Sequence, residues 1–309
     1  MKTTQTILDR ILVDVRKELA AAREARPLSE LQARIRQAPA VRSLEASLAA
    51  GFGLIAEIKE RSPSHGPMRR QNIDAAAAAY ERSGLVHGIS VLTNASYFGM
   101  SMERLSAVKL ATTKPVLRMD FIFDAYQVYE ARAFGADAIL LMANLLEADE
   151  MKRLYAVARD LGMDALFECH TREQIAQVPA EARIYGINSR TFDARTNALG
   201  LGLYGVSALL GRLGSAKDLT IDESRFELGR DLPPQALKVA ESGVHPETVA
   251  ALRDQLRYDA ALVGTSLLKA PEGIAHELER FEQALAAPRT ADATAPASGA
   301  ALGPTSSTR

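Results

Sequence analysis

Eight short apolar runs, most of them followed by a segment of helical period, predict an α/β chain folded as a (β/α)8 TIM barrel with an N-terminal helical extension. Three observations carry this expectation. The runs are apolar almost throughout, as strands buried on both faces must be. They alternate with helices, the pattern of parallel crossovers. Eight units is also the number that closes a barrel; a doubly wound open sheet competes, and the count argues against it.

The extension comes first. From about Ile7 to Ala25 the apolar residues Leu8, Ile11, Leu12, Val15 and Leu19 recur at three and four, one face of an amphipathic helix. A second helix is expected from Ser29, as its N-cap, to about Gln37, so the extension occupies roughly residues 5–40. LIAEIK (54–59) is the first strand, followed by a Ser/Pro/Gly turn and the helix IDAAAAAYERSG (73–84). GISVLT (88–93) precedes a helix near Met102–Ala111. PVLRMDF (115–121) precedes the helix YQVYEARAFG (126–135), which Gly135 terminates. DAILLM (137–142) leads to a helix over 147–161, and MDALFECH (163–170) to a short helix from Arg172. RIYGIN (183–188), KVAESG (238–243) with a helix near 246–256, and AALVGTS (260–266) complete the series.

One barrel domain is thus expected over 1–285. It carries an insert at about 191–236, which is long for a βα connection and holds Gly200, Gly202, Gly205, Gly211 and Gly214. Residues 286–309 are rich in Ala, Pro, Ser and Thr and are expected to be a disordered tail.

Composition removes several classes of function. The 37 basic and 38 acidic residues balance, so no nucleic-acid or membrane surface is indicated. A single cysteine, Cys169, excludes an internal disulfide and suits a reducing compartment. The N-terminus mixes acids and bases without the apolar core of a signal peptide, and no run is long enough to span a bilayer. A cytoplasmic location is expected.

Polar residues gather where the strands finish. Glu57 and Lys59 lie two apart, hence on one side of the first strand. Glu168 ends the fifth, Asn188 the sixth, and Glu241-Ser242-Gly243 the seventh. One buried carboxylate is most simply a capping salt bridge, but four strands out of eight ending this way point to a site. Ser242, Gly243, Gly264, Thr265 and Ser266 precede expected helices whose backbone N–H groups could hold a phosphate, and SPSHG (62–66) could add donors; simple turn chemistry explains either stretch alone. GLGLYG (200–205) matches a dinucleotide fingerprint only literally, since no strand precedes it. His65, His87, His170, His245 and His276 lack metal-ligand spacing, so no metal is expected. Alternation puts His170 on the side of Glu168, where a hydrogen-bonded structural role is favoured, and Cys169 on the opposite face as a small buried hydrophobe.

LIAEIKERSPSHG, SVLTNASYFGMS, PVLRMDFIFDAYQVYEARAFGADAILL, LFECHT, YGINSR, VAESGV and ALVGTSLL, in that order, resemble the indole-3-glycerol phosphate synthase family from roughly residue 4 to 285. The resemblance implies a cofactor-free lyase of tryptophan biosynthesis. Its small-molecule phosphosugar substrate, 1-(2-carboxyphenylamino)-1-deoxyribulose 5-phosphate, closes a ring and loses CO2 and then water. Position by position it implies Glu57, Lys59, Ser62, Phe121, Glu168, Asn188, Arg190 and Ser242 as active-site residues, with Gly243, Gly264 and Thr265 at the phosphate. Lys59 would meet the substrate carboxylate and supply a proton, and Glu57 and Asn188 would assist dehydration. Glu168 would orient and balance charge, and Phe121 would pack on the aromatic ring. No nucleic-acid or membrane partner is implied, and the chain is expected as a monomer or weak homo-oligomer.

One departure bears on the chemistry. The family reads Arg-Lys-Asp-Phe where this chain reads Arg118-Met119-Asp120-Phe121, and that lysine is the family's general acid for ring closure. A thioether donates no proton, and a positioned acid is worth roughly 10²–10⁴ in rate. Ser189, where a second Asn is usual, is a smaller departure. A slowed or rewired synthase is therefore expected, with Lys59 as acid in both steps. A non-catalytic or regulatory phosphosugar-binding relative, and an enzyme on a modified aryl-amino sugar phosphate, stay open as alternatives.

Overall fold

The computed structural model describes residues 7–63, 65–190 and 223–286. Eight strands run parallel: β1 (Gly53–Ile58), β2 (Val86–Leu92), β3 (Val116–Met119), β4 (Ala138–Met142), β5 (Asp164–Cys169), β6 (Ile184–Asn188), β7 (Leu237–Glu241) and β8 (Ala260–Val263). Each pairs with the next, and β8 returns to β1, closing the barrel. Side chains alternate across each strand. Ile55, Leu117, Leu140, Leu166, Ile184, Val239 and Leu262 fill the interior. Leu54, Ile139, Phe167, Cys169, Ile187 and Ala261 meet the helical layer outside.

The helices are α1 (Ile7–Ala25), α2 (Leu28–Ile35), α3 (Leu44–Leu48), α4 (Arg70–Arg82), α5 (Ala95–Phe98), α6 (Met102–Ala111), α7 (Ala125–Ala133), α8 (Ala148–Asp160), α9 (Arg172–Gln177), α10 (Glu223–Phe226), α11 (Pro246–Asp254), α12 (Thr265–Lys269) and α13 (Ile274–Ala286). Gly135, with φ of 95°, follows α7 in the left-handed conformation that glycine adopts without steric cost. Asn72 of α4 donates to the carbonyls of Leu268 and Ala270, tying the first crossover to the last.

The expected cap of α2 moves. Pro27, not Ser29, occupies the N-cap in an extended conformation, and its carbonyl accepts from Leu31 at 3.3 Å. Proline suits a helix entrance because its missing N–H would have had no partner there. Short helices α3 and α5, and a two-residue hairpin (Arg61–Ser62 with Gly66–Pro67), lie in stretches read above as connections. They are too short to show a period.

The segment before β1 covers both ends of the barrel. Over the C-terminal strand ends, Tyr97 donates to Asp14 at 2.9 Å, Asn94 to Glu18 at 2.7 Å, and Arg23 pairs with Asp124 at 2.6 Å. Ile11 and Val15 of α1 join the inner cluster that contains Phe121. At the opposite end Leu44 and Leu48 of α3 enter the same cluster. A Cβ on Gly88 would lie 2.8 Å from Leu44 Cδ1, so glycine admits this plug. Nearby, Asp137 accepts from buried Lys109 at 2.5 Å, from the Arg42 amide at 2.8 Å and from the Val116 amide at 2.7 Å.

Most of the insert, with its GLGLYG segment, lies outside the described residues. Its last part, read above as part of a long connection, carries α10, where Phe226 is buried edge-on against Tyr258 with ring centroids 5.7 Å apart. Of the expected tail, Ala286 closes α13, and 287–309 lie outside the described residues.

Candidate active site

Strand register brings distant residues to one level. Glu57 pairs with Ser90, Ser90 with Leu117, Glu168 with Gly186, and Asn188 with Glu241. These are inward positions near the C-terminal strand ends, where barrels carry their chemistry.

Glu57 and Lys59 are both buried and form a direct ion pair. The Glu57 carboxylate fits because β8 ends in glycine. A Cβ on Gly264 would stand 2.2 Å from Glu57 Oε1. On the facing wall Asn188 donates to Glu168 Oε2 at 3.0 Å, and His170 Nε2 lies 3.6 Å from Glu168 Oε1. Burial holds His170 below its ordinary pKa, against the opposing pull of Glu168.

Beside Glu168 lies Glu241, 1% exposed. Gly186 makes room for it, since a Cβ there would be 1.7 Å from Glu241 Oε1. Burial first, and then Glu168 and Glu57, push the Glu241 carboxyl well above the usual carboxylate range. Glu57 and Glu168 face Lys59 and Arg190. Arg190 is pulled down by burial and held up by Glu57 and Glu168.

The entrance is cationic. His65, at the tip of the hairpin after β1, is lowered to about 4 by burial and then by Arg190, Lys59, Lys269 and His245. Its backbone amide donates to Ser62 Oγ at 3.2 Å, and Lys269 Nζ donates to its carbonyl. Positive charge on Arg190, Lys59 and Lys269, from three separate elements, converging on one imidazole suits an anionic ligand.

The third wall is apolar. Phe121 lies in the inner cluster and Met119 packs half-buried against it, so Leu117, Met119 and Phe121 share the inward face. Arg118 and Asp120 point outward, where Arg118 reaches Asp120 at 3.0 Å and Glu130 at 3.1 Å.

Ser242 and Gly243 follow β7 with φ of 69° and 68°. The left-handed conformation costs a non-glycine residue roughly 1–2 kcal/mol. Such strain persists where surrounding structure holds it, commonly at functional sites. Thr265 opens α12, directly after Gly264.

Two hydroxyls turn elsewhere. Ser266, grouped above with the strand-end donors, bonds Glu277 of α13 at 2.6 Å. Ser189 donates to the carbonyls of Glu241 and Ser242, so its departure from the usual Asn falls on backbone support. Cys169 is fully buried in the outer layer, its thiol pushed up by burial.

Ser90 is a further residue of the site, and Glu241 and His65, named above without a role, join it. Alternation from Val239 would have placed Glu241 inward. Ser90, buried with its hydroxyl unbonded, is masked in sequence by an apolar strand.

Acids and bases gathered at the C-terminal rim of a closed parallel barrel define a (β/α)8-barrel enzyme. The chain belongs to the indole-3-glycerol phosphate synthase family, whose model matches residues 8–198. The protein of that name from Kineococcus radiotolerans is 37% identical over 273 residues, covering 85% of this chain and 90% of its own. The one from Nocardioides sp. is 37% identical over 283 residues, covering 90% and 99%. Among solved structures, 3-hexulose-6-phosphate synthase from Salmonella typhimurium shares the fold, with a TM-score of 0.51 at 14% identity over 76% of this chain and 98% of that one. No helix among the described residues is long and apolar enough to cross a membrane.

Proposed function

We propose that this chain is an indole-3-glycerol phosphate synthase of tryptophan biosynthesis, acting on 1-(2-carboxyphenylamino)-1-deoxyribulose 5-phosphate without a cofactor. The single observation that carries this reading is the meeting of the Glu57–Lys59 pair with the Asn188–Glu168 pair at one rim, beside the apolar wall of Phe121. Such a site offers a cation for the substrate carboxylate, an apolar surface for its ring, and acid–base groups for proton transfer.

In this reading Lys59 and Arg190 bind the carboxylate, Phe121 packs on the aromatic ring, and Glu168 orients the ketose. Glu57 and Asn188 assist loss of water. Ser62, Ser242, Gly243, Gly264 and Thr265 hold the sugar phosphate, with the cationic surroundings of His65 favouring its charge. The barrel domain is taken as residues 1–285, and the chain as a cytoplasmic monomer or weak homo-oligomer.

Incubation with the carboxyphenylamino sugar phosphate, followed by indole fluorescence, is the direct test. Product is expected from the natural chain. Met119→Lys, which restores an ammonium on the third strand, is expected to raise kcat by roughly 10²-fold. Absence of product from both proteins at high enzyme concentration would refute the reading. Met119 itself favours one alternative, a phosphosugar-binding relative that turns over only as the lysine variant.

A further inference from the structure

We propose that Glu168 and Glu241 hold one proton between them and deliver it to the ketose oxygen during ring closure, supplying the general acid that Met119 cannot. The catalytic half of this inference rests on the reaction proposed above; the shared proton does not.

The geometry favours a proton on the pair. Glu168 Oε1 and both carboxyl oxygens of Glu241 are buried and meet no hydrogen-bond donor. Ionised carboxylates only accept, so two of them side by side in a dry interior repel. A proton on one converts the contact into a donor–acceptor pair. Of the neighbouring donors Lys59 and Asn188 are committed, while Arg190 Nε and both ring nitrogens of His170 are buried without a hydrogen-bond partner among the described residues. Lys59 is engaged with Glu57, Asn188 donates to the other oxygen of Glu168, and Arg190 acts on Glu57 and Glu168. His170 approaches Glu168, and Arg225 acts on that imidazole in turn. Glu241 is left with Glu168 and Glu57 as its charged neighbours, and each of them favours its acid form. The proton belongs to the pair rather than to either residue.

Strand pairing brings the two together. Gly186, the partner of Glu168, clears the space that Glu241 fills, and Glu241 itself pairs with Asn188. On ring closure a bond forms between the ring carbon bearing the carboxylate and the ketose carbon. The carbonyl π electrons move to oxygen, which takes the proton and becomes a hydroxyl, leaving two carboxylates. Loss of CO2 then returns its bonding pair to the ring. The hydroxyl departs with a second proton as water, while the carbon attached to nitrogen gives one proton to a base. Each turnover therefore consumes one proton from solvent, which recharges the pair.

Two measurements test the inference. Glu241→Gln keeps the volume and can still bond Glu168, but carries no acidic proton. It is expected to lower kcat by about 10²-fold with KM within about threefold. In the Met119→Lys background the same change is expected to cost less than about threefold, because the lysine then serves as acid. An equal cost in both backgrounds, or no cost in either, overturns the proposal. Infrared difference spectroscopy of the ligand-free protein near neutral pH is expected to show a carboxylic-acid carbonyl band that Glu241→Gln removes. Absence of that band overturns the shared proton. If the band is present and no variant, Met119→Lys included, forms product, the acid role falls with the reaction assignment.

Discussion

Gly264→Ala places a methyl group where the Glu57 carboxylate now lies. Its Cβ would come within 2.2 Å of Oε1, 2.9 Å of Cδ and 3.0 Å of Cβ of Glu57, whereas ordinary contact begins near 3.4 Å. The backbone φ of −125° does not demand glycine, so the requirement is space alone. Glu57 must shift by about 1 Å, and a misplacement of that size costs on the order of 10² in rate, or about 2.7 kcal/mol of barrier. The shift also pulls the carboxylate from Lys59, leaving an ammonium less well compensated in a buried site. The assay is kcat/KM by indole fluorescence, with a urea melt to confirm folding. Gly84→Ala, where a Cβ meets nothing within 4 Å, serves as the control. A Gly264→Ala enzyme within about threefold of the natural chain would show that Glu57 has no role fixed by its position.

Ser242→Gly relieves the left-handed strain and is expected to raise the unfolding free energy by about 1 kcal/mol, whereas Ser242→Ala does not; equal urea midpoints would contradict this. Glu241 is raised in the folded state, so the native protein binds the extra proton and loses stability as pH climbs above its ordinary value of 4.5 towards the folded value. Glu241→Gln should therefore gain stability relative to the natural chain as pH rises above about 4.5, by up to about 1.4 kcal/mol per pH unit; a constant difference in urea titrations would reject it. Lys109→Met strands the fully buried Asp137 on two backbone donors and is expected to cost about 3–5 kcal/mol. Adding Asp137→Asn should recover most of that loss, and a double variant as unstable as the single one would argue against an uncompensated charge.

The strands were legible because each is buried on both faces and reads as an apolar run; all eight fall within a few residues of their expected places. Glu57, Lys59, Glu168 and Asn188 stood out for a related reason, since a charged or amide side chain in such a run is conspicuous. Glu241 was visible at its strand end but carried no assigned role. Its significance lies in closeness to Glu168, seventy-three positions earlier, and in the bare face of Gly186. Neither shows in a local pattern. His65 is likewise a tertiary product, because Lys59, Arg190, His245 and Lys269 come from separate elements. Short helices such as α3 escaped because five residues show no period, even though Leu44 and Leu48 fill the barrel's end.

The placement of α1 has a consequence for synthesis and for trimming. During synthesis α1 finds Asn94, Tyr97 and Asp124 only after about a hundred more residues have emerged, and until then its apolar stripe has no native surface to cover. Once docked, Ile11 and Val15 belong to the same greasy wall as Phe121. Clipping the leading helix would thus unroof the reaction chamber while every strand of the cylinder kept its neighbours.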